Sequence, residues 1–536
     1  MTRFTIPAAS VLKLLLPAVI LTGCDRAPAS AAAVLVTQNA AADTTVPSIP
    51  TARLRAAVRD ATTRGFYEAN RWKAVWSDAA TIGLKHSLND RAAHGLDHLV
   101  FLEDSGASAS PAQREVAMTR AALRYAAALA QGVTNPSDLH AIYTLARPSV
   151  DLNKPLAQAI AAGKLESWFA RLAPQDDAYA RLSKAYLDAR QDVGKVDRPA
   201  IAGGVIHIGD TDSRVDAIVE QLVGGEYLAV QPPATTPADN HPQPSDSAAR
   251  AADAQRYTQR IADAVEHLQR DYGIAADGVT GPDTLEVLNL RPGDRARALA
   301  VALERLRWLS RSPPATRIDV NTAAARLSYY RDGKLADSRR VIVGQPGKET
   351  PQLLAPIFRL VANPTWTIPK SIQNGEMAGV SPGYLRRHNM VHRHGWIVQK
   401  AGPSNALGLV KFDMRDGQAI YLHDTSAPSL FDRSQRHLSH GCVRVDDALG
   451  FAQRIAEDEG VAAKWKRAHA GTVQKFITLP HEIPVRLLYQ NVFVDRDGAV
   501  AFRTDPYGWN APIAKALGFD KVSNARARAE TVDIGP

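Results

Sequence analysis

The spacing of apolar positions divides the chain into helical and β-type stretches. Between residues 51 and 199 the period is helical. Ser110 is placed to cap a helix opened by Pro111, Gln113 occupies the capping-box position, and the run through Val116, Leu123 and Leu129 stops at Gly132. Trp72, Trp76, Trp168 and Phe169 fall at core spacings in this region. Residues 200–294 have their own pattern: Gly209-Asp210-Thr211 leads into Val215, Ile218, Val219 and Leu222, and a second run carries Ile261, Val265 and Leu268 to a stop at Gly273. Between these helices, residues 232–252 are rich in Pro, Ala, Asp and Ser and read as a disordered insertion. A helix over 295–309, with Leu299, Leu303, Leu306 and Trp308, ends before Pro313-Pro314, so 51–199 and 295–315 together form an expected helical scaffold.

From about residue 316 the period changes. Ile318 to Asn321, Arg326 to Tyr330 and Arg339 to Val343 are short β-type runs, and Arg331-Asp332-Gly333-Lys334 offers a hairpin turn. The mostly β region is placed at 316–488, with 364–395 too long and irregular for an ordinary loop and read as an inserted lid. Residues 489–536 hold an expected hairpin, Val492-Phe493-Val494 and Val500-Ala501-Phe502 around Asp497-Gly498, then a basic tail without an assigned role. The fold class expected is multidomain α+β.

Composition narrows the class without naming a partner. The 536 residues are 45% hydrophobic and 22% charged, which excludes a disordered or collagen-like chain. A net charge of +9 suits an anionic polymer or membrane surface, but dense basic runs of a nucleic-acid binder are missing.

Met1 to Asp25 has cations at Arg3 and Lys13 and an apolar run from Leu14 to Leu21, the pattern of an export signal. That run is well short of the roughly 20 residues of a spanning helix. Leu21-Thr22-Gly23-Cys24 resembles a bacterial lipoprotein signal, which implies removal of residues 1–23, lipidation of Cys24 and a flexible tether over 24–50. Asp25 would then imply retention at the periplasmic face of the inner membrane by the enteric rule. Cys442 is the only other cysteine, so a lipidated Cys24 leaves no disulfide.

Two segments carry the candidate chemistry: Ala419 to Thr425, containing His423, and Ser439-His440-Gly441-Cys442-Val443-Arg444-Val445. Two strands joined by the intervening loop can bring them together. A cysteine acts as nucleophile only as thiolate, so an imidazole that takes its proton is the minimal partner, and His423 is the candidate base. In an extended segment Cys442 and Arg444 project to one face, where Arg444 can favour the thiolate or bind a substrate carboxylate. Gly441 is expected to remove bulk beside the nucleophile. The N–H groups of Gly441 and Cys442, with His440 nearby, are candidate oxyanion donors, each typically worth about 3–4 kcal/mol. Ser439 is read as orienting the turn and belonging to the substrate-binding set. A zinc site built from His423, His440 and Cys442 matches no common spacing, so neither metal nor cofactor is expected.

His423 with Ser439-His440-Gly441-Cys442 and Arg444 resembles the L,D-transpeptidase catalytic (YkuD) domain. Asn363-Pro364-Thr365-Trp366 with Ile368-Pro369, and Gly402-Pro403 through Asn405 to Leu407-Gly408, look like its large YcbB-type subgroup. Leu268-Gln269, Tyr272-Gly273-Ile274, Asp277 to Gly281 and Thr284-Leu285 resemble a small helical peptidoglycan-binding domain over 200–294. These resemblances imply that Cys442 attacks the third residue of a peptidoglycan tetrapeptide stem, expels D-Ala, and passes the acyl group from a thioester to the amine of a second stem. They also imply inhibition by a carbapenem and no nucleic-acid partner. The same thioester passed to water or to an envelope protein would make a carboxypeptidase or an attachment enzyme. A catalytically silent wall-binding lipoprotein is the alternative of another class.

Overall fold

The computed structural model describes residues 43–104, 108–193, 199–229 and 255–519. Cys24, the signal segment, most of the tether, the 232–252 insertion and the tail beyond 519 lie outside the described residues.

The helical half follows the apolar period. The helix Pro111–Gln131 begins with the expected capping box: the Ser110 hydroxyl accepts the Gln113 N–H (3.3 Å), and the Gln113 amide oxygen accepts the Ser110 N–H (2.7 Å). Trp72, Trp76, Trp168 and Phe169 all enter the core. Helix Pro292–Arg307 packs along helix Asp177–Gln191 and carries a fully buried ion pair, Glu304 with Arg307 at 2.8 Å. The pair is also hydrogen-bonded outward: Glu304 accepts the Thr134 N–H (2.8 Å) and the Trp308 indole N–H (3.1 Å), which offsets the cost of burying its charge. Between these scaffold elements, helices Val215–Gly224, Gln259–Tyr272 and Pro282–Leu288 form a small unit. Its Asp277-Gly278 turn is held by buried Gln269, whose amide oxygen accepts the N–H groups of both turn residues at 3.0 and 2.9 Å.

Strand structure occupies the next part of the chain. The strands are β1 (Arg317–Asn321), β2 (Arg326–Arg331), β3 (Lys334–Gly344), β4 (Leu354–Ala362), β5 (Trp366–Thr367), β6 (Met390–Arg393), β7 (Trp396–Gln399), β8 (Val410–Met414), β9 (Leu422–His423), β10 (His437–Ser439), β11 (Val443–Val445) and β12 (Lys475–Leu488). The main sheet runs β10-β3-β11-β9-β8-β4-β12-β1-β2, and β2 pairs with β3, so the sheet closes on itself with β10 outside the ring. Alternate residues such as Ile318, Val320, Leu327, Tyr329, Ile357, Phe412, Val443 and Val445 fill the core, covered by Phe451, Ile455 and Trp465 of the following helices Ala448–Asp458 and Ala462–His469.

The segment expected to be an irregular lid is a folded subdomain. Strands β5, β7 and β6 form their own sheet beside helices Lys370–Asn374 and Pro382–Arg387, around a core of Trp366, Ile368, Ile372, Met377, Leu385, Met390, Ile397 and Leu407.

The expected terminal hairpin is present as β13 (Val492–Val494) and β14 (Val500–Phe502). It packs on helices Asp177–Gln191, Gln259–Tyr272 and Pro292–Arg307, and is followed by a helix, Asn510–Ala516, that periodicity did not reveal.

Candidate active site

The two chemistry-bearing segments meet because β9 and β11 are parallel neighbours, with Val443 opposite Leu422 and Arg444 opposite His423. His423 is fully buried. Its Nδ1 lies 2.5 Å from the Asp424 carbonyl oxygen, and a carbonyl can only accept, so the proton sits on Nδ1 and Nε2 carries the lone pair. Among the described residues Nε2 has no hydrogen-bond partner. Burial, joined by the charges of Arg444 and Lys411, holds the imidazole pKa well below its ordinary 6.5, against the opposing effect of the Asp424 carbonyl. The ring is therefore a neutral base at neutral pH.

Cys442 is buried just before β11, with its Sγ 3.8 Å from the Ala419 carbonyl. Burial pushes its thiol up to about 11, although hydrogen bonding from Tyr421 and the charge of Lys411 favour the thiolate. The Tyr421 hydroxyl is itself held well above its usual range, first by burial and then by its interaction with Cys442. Lys411 stands 4.1 Å from the centre of the Tyr421 ring and pairs with Asp413 at 2.7 Å. At neutral pH both the Cys442 thiol and the His423 imidazole rest uncharged.

The loop leading to Cys442 is tied internally. Ser439 is fully buried; its hydroxyl donates to the Cys442 carbonyl (2.6 Å) and accepts the Gly441 N–H (3.1 Å). The Ser439 hydroxyl orients the turn by hydrogen bonding, as expected from the sequence. One expectation changes: the Gly441 N–H is already engaged, which leaves the Cys442 N–H as the oxyanion candidate of the pair. Gly441 has φ +117°, a backbone conformation that side chains rarely adopt, and beyond its chain neighbours an added Cβ would meet nothing nearer than 3.5 Å. His440 turns toward the lid subdomain, its Nε2 2.7 Å from the Glu376 carboxylate, which also pairs with Lys348. Burial works to raise the Glu376 pKa, but its hydrogen bonds with Lys348 and His440 prevail and lower it. Arg444 is 2% exposed and acts on His423 through its charge.

Tyr421, Asp424, Glu376 and Thr350 belong to the site but do not stand out in the sequence. Asp424 anchors His423 through its carbonyl, while its carboxylate accepts the Leu409 N–H (2.8 Å). Tyr421 had one available signal, its position two residues before His423 on the same strand direction. Among the described residues, no group of three or more His, Cys, Asp or Glu side chains is placed to hold a metal ion.

Comparison with known proteins gives two matches at the level of domains. Residues 315–472 match the L,D-transpeptidase catalytic domain family, YkuD, and residues 61–185 match a family described as a scaffold domain. A candidate L,D-transpeptidase of Haemophilus influenzae is 31% identical over 224 residues, which span 37% of this chain and 45% of that one. Among solved structures, an L,D-transpeptidase of Stackebrandtia nassauensis is 15% identical, with 54% of this chain and 97% of that chain covered at a TM-score of 0.22. One from Xylanimonas cellulosilytica is 16% identical, with 54% and 100% covered at a TM-score of 0.18.

Proposed function

Because residues 315–472 form a domain of the YkuD L,D-transpeptidase catalytic family, we propose that this chain is a peptidoglycan L,D-transpeptidase working by cysteine acyl transfer. The observation that carries the proposal is the buried His423, whose Nε2, without a partner among the described residues, is its lone-pair nitrogen, on the strand paired with the one Cys442 leads into. In the first half-reaction His423 Nε2 takes the Cys442 proton as Sγ attacks the carbonyl of the third stem residue. The developing oxyanion is met by the Cys442 N–H. The proton passes to the departing amine, D-Ala leaves, and a thioester remains. In the second half-reaction His423 takes a proton from the side-chain amine of an acceptor stem as it attacks the thioester; the cross-link forms and the thiol is restored. The cleaved peptide bond supplies the energy, and the lid subdomain shields the thioester from water.

Lipid attachment through Cys24 would hold this chemistry at the periplasmic face of a bacterial membrane, within reach of the wall. The 200–294 unit would contribute to wall contact by its resemblance to peptidoglycan-binding domains.

A carbapenem, as a mimic of the donor stem, tests the nucleophile. Incubation with meropenem should add one drug mass to the protein, and the adduct should map to the peptide containing Cys442. No adduct on Cys442, or an equal adduct on the Cys442→Ala protein, would contradict the assignment.

A further inference from the structure

The catalytic loop is braced from a part of the chain beyond the matched family domain. Thr350, in the connection from β3 to β4, is fully buried, and its hydroxyl donates to the Gly441 carbonyl at 2.8 Å while accepting the Gly344 N–H at 2.8 Å. Tyr507 closes this arrangement from the other side: its hydroxyl donates to the Gly344 carbonyl (2.7 Å) and accepts the Thr350 N–H (3.4 Å). At Gly344 the backbones approach so closely that a Cβ would stand 2.1 Å from the Lys348 carbonyl oxygen. The Tyr507 ring is held by Tyr489 (centroids 5.1 Å apart), by Trp509 (4.8 Å) and edge-on by His437 (5.5 Å), the residue that opens β10 and leads into Ser439.

The Gly441 carbonyl and the Cys442 N–H belong to one peptide unit. That unit is planar and trans, so fixing the direction of its C=O fixes the opposite direction of its N–H. Thr350 therefore sets where the Cys442 N–H points, and Tyr507 sets Thr350. We infer that Tyr507 is a positioning residue for the oxyanion donor, acting through Thr350 on the Gly441–Cys442 peptide. The inference rests on the acyl-transfer reading, and it makes the segment from Tyr489 to Trp509 part of the catalytic unit although the family match ends at residue 472.

Tyr507→Phe keeps the ring and removes only the hydroxyl. Two reagents separate positioning from collapse of the site: a carbapenem passes through a tetrahedral oxyanion, whereas iodoacetamide alkylates the same thiol without one. Tyr507→Phe should slow acylation of Cys442 about tenfold, less than the loss expected on deleting an oxyanion donor outright, and leave alkylation unchanged. Thr350→Val should behave alike, Thr350→Ser should restore acylation, and the double variant Tyr507→Phe with Thr350→Val should be no slower than Thr350→Val alone. Wild-type acylation by Tyr507→Phe, equal loss with both reagents, or additive effects in the double variant would overturn the inference. Hydrogen exchange gives a readout independent of activity. Amides of residues 439–444 should exchange faster in Tyr507→Phe even if the intact chain proves not to acylate, a result that would remove the enzyme reading alone; unchanged exchange would overturn the positioning role.

Discussion

At the scale of single residues, the site stores its reactive groups uncharged. His423 is held below 6.5 by burial and two nearby cations, and the Cys442 thiol is held up to about 11. The base form of His423 therefore persists below pH 6.5, and the acid limb of acylation should fall beneath that value, because only protonation of Nε2 removes the proton acceptor. Alkylation of Cys442 by iodoacetamide should climb steadily from pH 7 toward 10, since the resting thiolate fraction rises about tenfold per pH unit below the thiol pKa. A fast plateau near neutrality would instead reveal a thiolate–imidazolium pair. Glycines separate two kinds of constraint. Gly441→Ala has room for its methyl but must hold φ at +117°, at a cost of roughly 1–3 kcal/mol. It should lower the thermal midpoint modestly and abolish acylation. Gly344→Ala drives a Cβ to 2.1 Å from a backbone oxygen, and its larger loss of thermal stability should be visible before any assay.

At the scale of elements, the lid subdomain is fastened to the catalytic loop by Glu376, which bridges His440 and Lys348. Glu376→Gln removes the charge that Lys348 and His440 both face. It should speed hydrogen exchange over 370–387 and raise KM more than it lowers kcat, with exchange of the β12 amides unchanged. Identical exchange over the lid would mean that its own apolar core, and not this contact, holds it in place. The lid also shows where pattern reading runs out. Strands β6 and β7 are four residues each and are joined through His394-Gly395, both at positive φ, so no two-residue alternation runs long enough to be seen. The capping box at Ser110 and the hairpin at Asp497-Gly498 were legible because their signals are local. The parallel pairing of β1 with β12, the pairing of β3 with β11, and the meeting of Thr350 with Gly441 depend on long-range contacts that leave no period in the chain.

At the scale of the whole molecule, the chain returns on itself after the barrel. Tyr489 stacks beneath the Arg305 guanidinium of the scaffold helix, 4.9 Å from the ring centre, and Arg305 donates to Asn491 (2.9 Å) and Asn510 (2.6 Å). Ile513, Ala514 and Leu517 are fully buried against the helical half. A chain ending at residue 488 should therefore lose cooperative thermal unfolding and expose apolar surface to a hydrophobic dye, even though every residue quoted in the sequence motifs is retained. Cys442, His423 and their loop could be picked out from residue types and order alone, but their support comes from segments more than sixty residues away, which spacing cannot register. The most direct test of the central claim supplies the soluble chain from Thr51 with purified disaccharide-tetrapeptide and follows the products by mass spectrometry beside Cys442→Ala. A dimer that has lost one D-Ala, absent with Cys442→Ala, is the expected result. Intact tetrapeptide throughout, or the same products from both proteins, would contradict cysteine acyl transfer as the function of this fold.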